Sequence, residues 1–381
     1  MDDQAMDDQP MDERTRDERT RDQRLLHEWP GSSMRRRDVL GLAGLALGAW
    51  ATASLPSRPA AASSNSAGAL ALPRRGDLRL VAISDLNSSY GSTSYLPEVL
   101  RAVELIPSWT PDLVLCGGDM VAGQKQGLSR VHLSAMWASF HRQLLAPLRR
   151  AGLPVAITMG NHDASSARSG GRYAFELDRQ EAERYWRGQE DALGLSFVDS
   201  SRFPFAYSVR QHDLFLLVWD ASSATVPTEQ VAWAERQLSS PAAKSARLRL
   251  VLGHLPLYGV GQGRDNPGNV LQQSDALRQL LERTGAHAYI SGHHHAYFPG
   301  RVGQLDLLNL GALGSGPRRR LQDPSPPVQT LTLIDAFWPT DASAGRMAYT
   351  TYNMRTLQAI TSQQLPAQIR PSQGPVLRRI S

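Results

Sequence analysis

The 381-residue sequence predicts an α/β fold in which two mixed sheets stack face to face with helices outside. Short apolar runs of strand length alternate with longer segments of helical spacing. Five of those runs end in a polar side chain able to bind a metal: Asp85, Asp119, Asn161, His254 and the triplet His293–His295. Further strand patterns beyond residue 300 bring the strand number to more than one sheet of ordinary size holds.

The elements follow in order. Residues 78–86 form a buried-strand pattern that stops at the carboxylate of Asp85, and a polar Ser/Gly loop comes next. Helices at 97–106 and 131–148 flank a second strand, 112–116, which ends in Gly117-Gly118-Asp119. A third, 154–159, ends in Gly160-Asn161-His162-Asp163. Residues 205–209 and 214–219 read as an antiparallel pair and 228–238 as a helix. The strand at 247–252 runs into Gly253-His254, and that at 288–291 into Gly292-His293-His294-His295. Patterns at 305–310, 329–334 and 348–353 complete the sheets. One domain over 77–355 is expected, preceded by a linker at 63–76 and followed by a loose tail at 356–381, where periodicity fades and Pro, Gln and Arg accumulate.

Composition narrows the function. Hydrophobic residues at 41% and charged residues at 20% exclude a disordered chain, a collagen and a multi-span membrane protein. The single cysteine, Cys116, excludes an internal disulfide framework and a multi-cysteine zinc site, so any metal must be held by His, Asp, Glu or Asn. Beyond residue 62 the chain carries 32 basic against 25 acidic residues, with Lys125 and Lys244 its lysines. Guanidinium suits phosphate, but this excess without a basic stripe points to no stable nucleic-acid partner.

The first 25 residues repeat a five-residue, highly charged unit with almost nothing apolar to bury. A disordered tail over 1–33 is expected, or else a start assigned too early, with Met34 the true one. From Met34 the order is Arg35-Arg36-Arg37, the short apolar run Val39–Trp50, then Ala, Ser and Pro with Ala60-Ala61-Ala62. That is the plan of a secretory signal over 34–62, and Arg36-Arg37-Asp38-Val39-Leu40 resembles a twin-arginine motif. The run is short against the ~20 residues of a spanning helix. Export through the twin-arginine machinery to the periplasm or beyond, with no membrane span in the mature form, is the expectation; an uncleaved anchor is the alternative.

The chemistry lies in Asp85, Asn87, Asp119, Asn161, His254, His293 and His295. In α/β sheets ligands bind beyond the carboxyl ends of strands, so the fold would gather these distant residues on one rim. Carboxylate, amide oxygen and imidazole suit Mn, Fe, Zn or Mg. A carboxylate between two cations offsets their repulsion, and such a pair can clamp a phosphoryl group and activate water.

In these blocks the sequence resembles the calcineurin-like metallophosphoesterases, whose motifs run D-x-H, G-D, G-N-H-[D/E], G-H and G-H-x-H in this order. They stand here as Asp85-Leu86-Asn87, Gly118-Asp119, Gly160-Asn161-His162-Asp163, Gly253-His254 and Gly292-His293-His294-His295, over about residues 78–312. The resemblance implies a four-layer α/β/β/α sandwich with a dinuclear centre at the strand carboxyl ends. It implies that Asp119 bridges the metals, with Asp85 and His295 on the first and Asn161, His254 and His293 on the second. His162 would stand beside the scissile phosphate, oriented by Asp163, to stabilise the transition state or protonate the leaving oxygen. His294, between two ligands, should turn away or line the pocket.

Asn87 departs from the pattern, which has His there. An amide oxygen is the weaker donor and cannot act as a base, so the first metal should bind less tightly or be a harder ion. Met120-Val121-Ala122-Gly123 supplies no tyrosine for a purple iron centre. Loops carrying Arg168, Arg172 and Arg264 should ring the rim and meet phosphate oxygens, while Gly316–Arg320 reads as an exposed loop. With no G-x-S-x-G motif and Cys116 inside a strand, water is the expected nucleophile. The reading is thus an exported phosphomonoesterase or phosphodiesterase. A metal-containing protein that only binds a phosphorylated ligand, and a hydrolase of carbon esters or amides, are the alternatives.

Overall fold

Alternation along the strands sorts their side chains into three apolar cores, and those cores define the layers. The computed structural model describes residues 72–341 and 345–379. The expected tail (1–33) and signal (34–62) lie outside the described residues. In chain order the elements are β1 (Leu78–Ile83), α1 (Pro97–Leu105), β2 (Leu113–Cys116) and α2 (Arg130–Phe140). Then come β3 (Val155–Ile157), α3 (Asn161–Ala164), β4 (Arg168–Ser169), β5 (Arg172–Tyr173), α4 (Glu176–Trp186), β6 (Phe197–Arg202), β7 (Ala206–Gln211) and β8 (Leu214–Val218). The second half adds α5 (Thr228–Leu238), β9 (Leu248–Leu252), α6 (Ser274–Arg283), β10 (Ala288–Ser291), β11 (Phe298–Val302) and β12 (Leu305–Asn309). Last are β13 (Thr330–Phe337), β14 (Arg346–Asn353), β15 (Gln368–Ile369) and β16 (Val376–Arg378).

One sheet has the order β14-β13-β1-β2-β3, the other β15-β16-β11-β12-β10-β9-β8-β7-β6. Both are mixed: β1, β2 and β3 run parallel with β13 antiparallel at their side, and β8, β9, β10 and β12 run parallel between antiparallel flanks. Leu78, Leu80 and Ala82 face Leu216, Val218, Leu250 and Ile290 between the sheets. Val81 and Ile83, on the other face of β1, pack with Val99, Trp137 and Trp186 beneath the first helical layer. Phe215, Leu217 and Val251 pack with Trp233, Leu277 and Leu280 beneath the second. Three cores between four layers make the α/β/β/α sandwich, and they explain why β1 is buried on both faces. Arg79, in β1, meets its cross-strand partner Asp335 in a buried two-pronged pair at 2.9 and 3.1 Å.

The C-terminal segment corrects the sequence reading. Within the expected loose tail 356–381, β15 pairs with β16 and β16 with β11, and Ile369 and Val376 are fully buried. Strands of two or three residues show no periodicity, and β11 supplies the hydrogen-bonding partner that makes them strands. At the other end, the last residues of the expected linker are tied down: Arg75 pairs with Asp112 at 2.8 Å, and Gly76 N–H donates to Asp335 at 2.9 Å. Among the described residues no helix is long and apolar enough to cross a membrane.

Candidate metal centre

The parallel strands all present their carboxyl ends at one rim, where the chain must reverse sharply. Asp85, Asp119, His293 and His295 each adopt positive φ, between 53° and 63°. That region is sterically unfavourable for residues with a Cβ and concentrates at functional sites. The loops are stitched together: Asp85 N–H donates to Gly118 O at 3.0 Å, and Asn87 N–H to Asp119 O at 3.1 Å. A glycine precedes Asn161 because a Cβ on Gly160 would collide with the Asp119 carboxylate.

On one side of Asp119 three donors converge. Asn161 Oδ1 lies 3.0 Å from His254 Nε2 and 2.8 Å from His293 Nδ1, and His254 Nε2 lies 3.4 Å from Asp119 Oδ1. Each is turned this way by a partner on its far side. His254 Nδ1–H donates to the Gly117 carbonyl at 2.7 Å, and His293 Nε2–H to Asn269 Oδ1 at 3.0 Å. The Asn161 amide NH2 donates to Gln124 Oε1. Carbonyl oxygens only accept, so with neutral imidazoles three lone pairs point at one another with no hydrogen between them. Ligand atoms ~2.1 Å from one cation stand about 3 Å apart, the spacing found here. Far-nitrogen bonds to carbonyls are how metal-binding imidazoles are held.

On the other side, His295 Nδ1–H donates to the Gly316 carbonyl at 2.8 Å, which aims Nε2 at Asp85 Oδ1, 3.2 Å away. Asp85 also accepts the His293 backbone N–H at 3.1 Å. Ligand atoms of Asp85, Asp119 and His254 all lie within 4.8 Å of one another, and all three residues are buried. Asn87 is 5% exposed and its side-chain oxygen has no hydrogen-bond partner. A buried acceptor left alone costs about 1–3 kcal/mol, which a cation beside Asp85 would remove. The donor set and this orphaned oxygen fit metal ions.

Electrostatics agree. Burial opposes ionisation of Asp119, but His254, His162 and the His162 backbone N–H outweigh it and hold the carboxyl below its usual range. Burial likewise opposes charge on His254, yet Asp119 pushes it up to about 9. His293 is held neutral, well below its usual range, by burial and then by the neighbouring His254, His294 and Arg264.

His162 Nδ1–H donates to the Gly123 carbonyl at 3.1 Å, so Nε2 faces Asp119 Oδ2 at 3.8 Å. Its ring lies 5.0 Å from that of Tyr90, which is 57% exposed. Asp163 does not orient His162, contrary to the expectation. Its oxygens accept the backbone N–H groups of Val121, at 2.9 Å, and Gly160, at 2.8 Å. It clamps the loops after β2 and β3 together, while burial and then the Asp119 charge raise its pKa to about 7.

The arginines separate. Arg168 donates to Gly171 O and stacks 4.2 Å from the Tyr173 ring in the β4–β5 hairpin, and Arg172 stands opposite Ser169 across that hairpin. Neither has a bond to a residue of the centre among the described residues. Arg264 does reach the centre's supports, donating to Asn269 Oδ1 at 2.8 Å. His294 turns away from the centre: its Nδ1 accepts from Val260 and Gly261 N–H at 3.0 and 3.2 Å, and its Nε2–H donates to Asn269 O at 2.9 Å. Burial pushes it down to about 3, so it stays a neutral tether. Gln124 and Asn269 were missed in the sequence, where isolated amides in loops carry no signal.

A family model for calcineurin-like phosphoesterases matches residues 78–297, more than half of the chain, and the protein belongs to that family. The family's centre is dinuclear. A purple acid phosphatase from yellow lupin (Lupinus luteus) seeds superposes with a TM-score of 0.55 at 16% identity, covering 74% of this chain and 52% of its own. The chain thus spans about half the length of that phosphatase, and the likeness is one of fold. GAP50, the anchor in the inner membrane complex of Plasmodium, gives a TM-score of 0.45 at 13% identity, covering 74% of this chain and 87% of its own. No curated protein sequence matches the chain.

Proposed function

We propose that the protein hydrolyses a phosphomonoester or phosphodiester at a centre of two metal ions. The observation that carries this is the convergence of His254, His293 and Asn161 lone pairs beside the Asp119 carboxylate, with His162 Nε2 facing the same carboxylate. Asp119 would be shared between the ions, Asp85, Asn87 and His295 would hold the first, and Asn161, His254 and His293 the second. Bound there, Mn, Fe or Zn would polarise the phosphoryl oxygens and lower the pKa of a coordinated water. The chain's own contribution is His162: the Gly123 carbonyl holds Nδ1–H and so turns Nε2 to the centre, where the doubly protonated ring would donate from Nε2 to a phosphoryl or leaving oxygen. Tyr90 flanks that ring and offers an aromatic face to the organic part of a substrate.

The test is release of nitrophenol from bis(nitrophenyl) phosphate and from nitrophenyl phosphate by the full chain, stripped of metal and then given manganese. Manganese-dependent release that Asn161→Ala abolishes is the expected result, and the ratio of the two substrates separates diester from monoester preference. No release from folded, metal-loaded protein sinks the hydrolase reading and leaves a phosphate-binding protein. For localisation, the Arg36-Arg37 motif and the Ala60-Ala61-Ala62 site support export by the twin-arginine machinery. An intact Met34 in the protein recovered outside the cytoplasm would overturn cleavage.

A further inference from the structure

The loop after β9 and the loop after β12 pair into a short antiparallel ribbon at the rim. Leu321 N–H donates to Val260 O at 2.7 Å, Gln262 N–H donates to Arg319 O at 2.8 Å, and Gly261 bridges to Arg320. This register sets Gly263 opposite Arg318, whose Nη1 lies 4.0 Å from where a Cβ on Gly263 would stand. Arg264 follows Gly263 in a turn closed by its N–H to Gly261 O at 3.1 Å, so the Arg318 guanidinium lies against the residue next to Arg264.

The ribbon is tied to the histidine triplet from both strands. His294 accepts the Val260 and Gly261 N–H groups, Arg318 N–H donates to His295 O at 2.9 Å, and Gly316 O accepts from His295 Nδ1–H. The Asn269 oxygen that holds His293 is the same one that accepts from Arg264.

Among the described residues no carboxylate lies in ion-pair distance of Arg264 or Arg318, although Arg320, two residues on, is paired with Asp323 at 2.6 Å. The nearest acidic neighbour in sequence, Asp265, is engaged by Ser372. Desolvation and then the charge of Arg264 lower the Arg318 pKa. Two like charges held together, with most of their N–H donors unused, are stabilised by an anion between them. The reacting phosphoryl group already has His162 and the candidate metal centre, on loops after β1, β2, β3, β9 and β10.

We propose that Arg264 and Arg318 clamp a second phosphate of the substrate, beyond the phosphorus that is attacked, so that the substrate class is a diphosphate or bisphosphate ester. This rests on the phosphoester reading above. The test is binding, not turnover: calorimetry of methylphosphonate and of the methylene-, ethylene- and propylene-bridged bisphosphonates with the manganese-loaded full chain. At least one bisphosphonate should bind roughly tenfold or more tightly than methylphosphonate, the size expected of added charge-assisted bonds. The spacer that binds best distinguishes a diphosphate from a longer bisphosphate.

In Arg318→Ala that ratio should collapse towards one, and Arg318→Lys should restore part of it. Arg318 donates no side-chain bond to the described protein, so the substitution spares the fold; metal content is measured alongside for Arg264→Ala. No excess for any spacer overturns the clamp. So does an excess that survives both alanine variants, since chelation by the metals would then account for it. Failure to release nitrophenol sinks the hydrolase alone, because these ratios do not depend on turnover.

Discussion

The two halves of the centre are built differently. On the second side, Asn161, His254 and His293 are each buried and each held at the far atom, by Gln124, Gly117 and Asn269. On the first side, His295 is tied to Gly316, but its side chain is 12% exposed, and Asn87 ends in an oxygen that nothing in the protein holds. Ligands already aimed lose little freedom when a cation arrives, whereas a free amide must be ordered by it. The second half should therefore be the tight one, and the first the exchangeable one.

Removing the shared carboxylate should erase the distinction. Asp119→Asn is expected to lose most of the bound manganese and to lower kcat/KM by at least roughly a thousandfold, a loss of several kcal/mol of charge stabilisation. Retained metal at both sites, read by elemental analysis, would break the picture of a common bridge. His162→Ala should lower kcat by roughly 10²–10⁴-fold, because it removes a proton donor and no ligand. Its metal content should stay that of the parent, and metal lost along with activity would place His162 among the ligands.

Gln124→Ala probes the tight half through its support. Without an acceptor for its NH2 group Asn161 can rotate, and second-site affinity should fall by about 10–100-fold with the first site unchanged. Equal weakening of both sites in a metal titration would deny that the halves are held independently. Asn87→His is the mildest change and acts in the opposite direction. An imidazole in place of the amide should tighten the first site by about tenfold. Unchanged affinity and stoichiometry by calorimetry would show that residue 87 is not a ligand.

Much of this candidate centre was legible in the sequence because the residues that gather in it follow strands. A parallel strand buried on both faces must be a short apolar run, and β1, β2, β9 and β10 announce themselves that way before Asp85, Asp119, His254 and His293. The supports were not legible. Gly117, Gly123 and Gly316 act through backbone carbonyls that every residue type possesses, and Gln124 and Asn269 act through contacts across 37 and 24 residues. Asp163 shows the same limit: the family resemblance implied that it orients His162, yet its bonds go to the backbone of residues 121 and 160.

The sequence by itself determined which residues could be ligands, that they end strands, and that an amide stands where imidazole is usual. Periodicity and residue type are local properties, and they need no knowledge of neighbours in space. The tertiary structure alone decided which nitrogen of each histidine faces the centre, that Asn87 lacks a partner, and that the last residues join the second sheet. It also decided that Arg318 reaches Gly263, next to Arg264, while Arg168 and Arg172 stay on a hairpin of their own. Those outcomes depend on pairings between distant segments, and hydrogen-bond direction and charge proximity exist only once such segments are packed together.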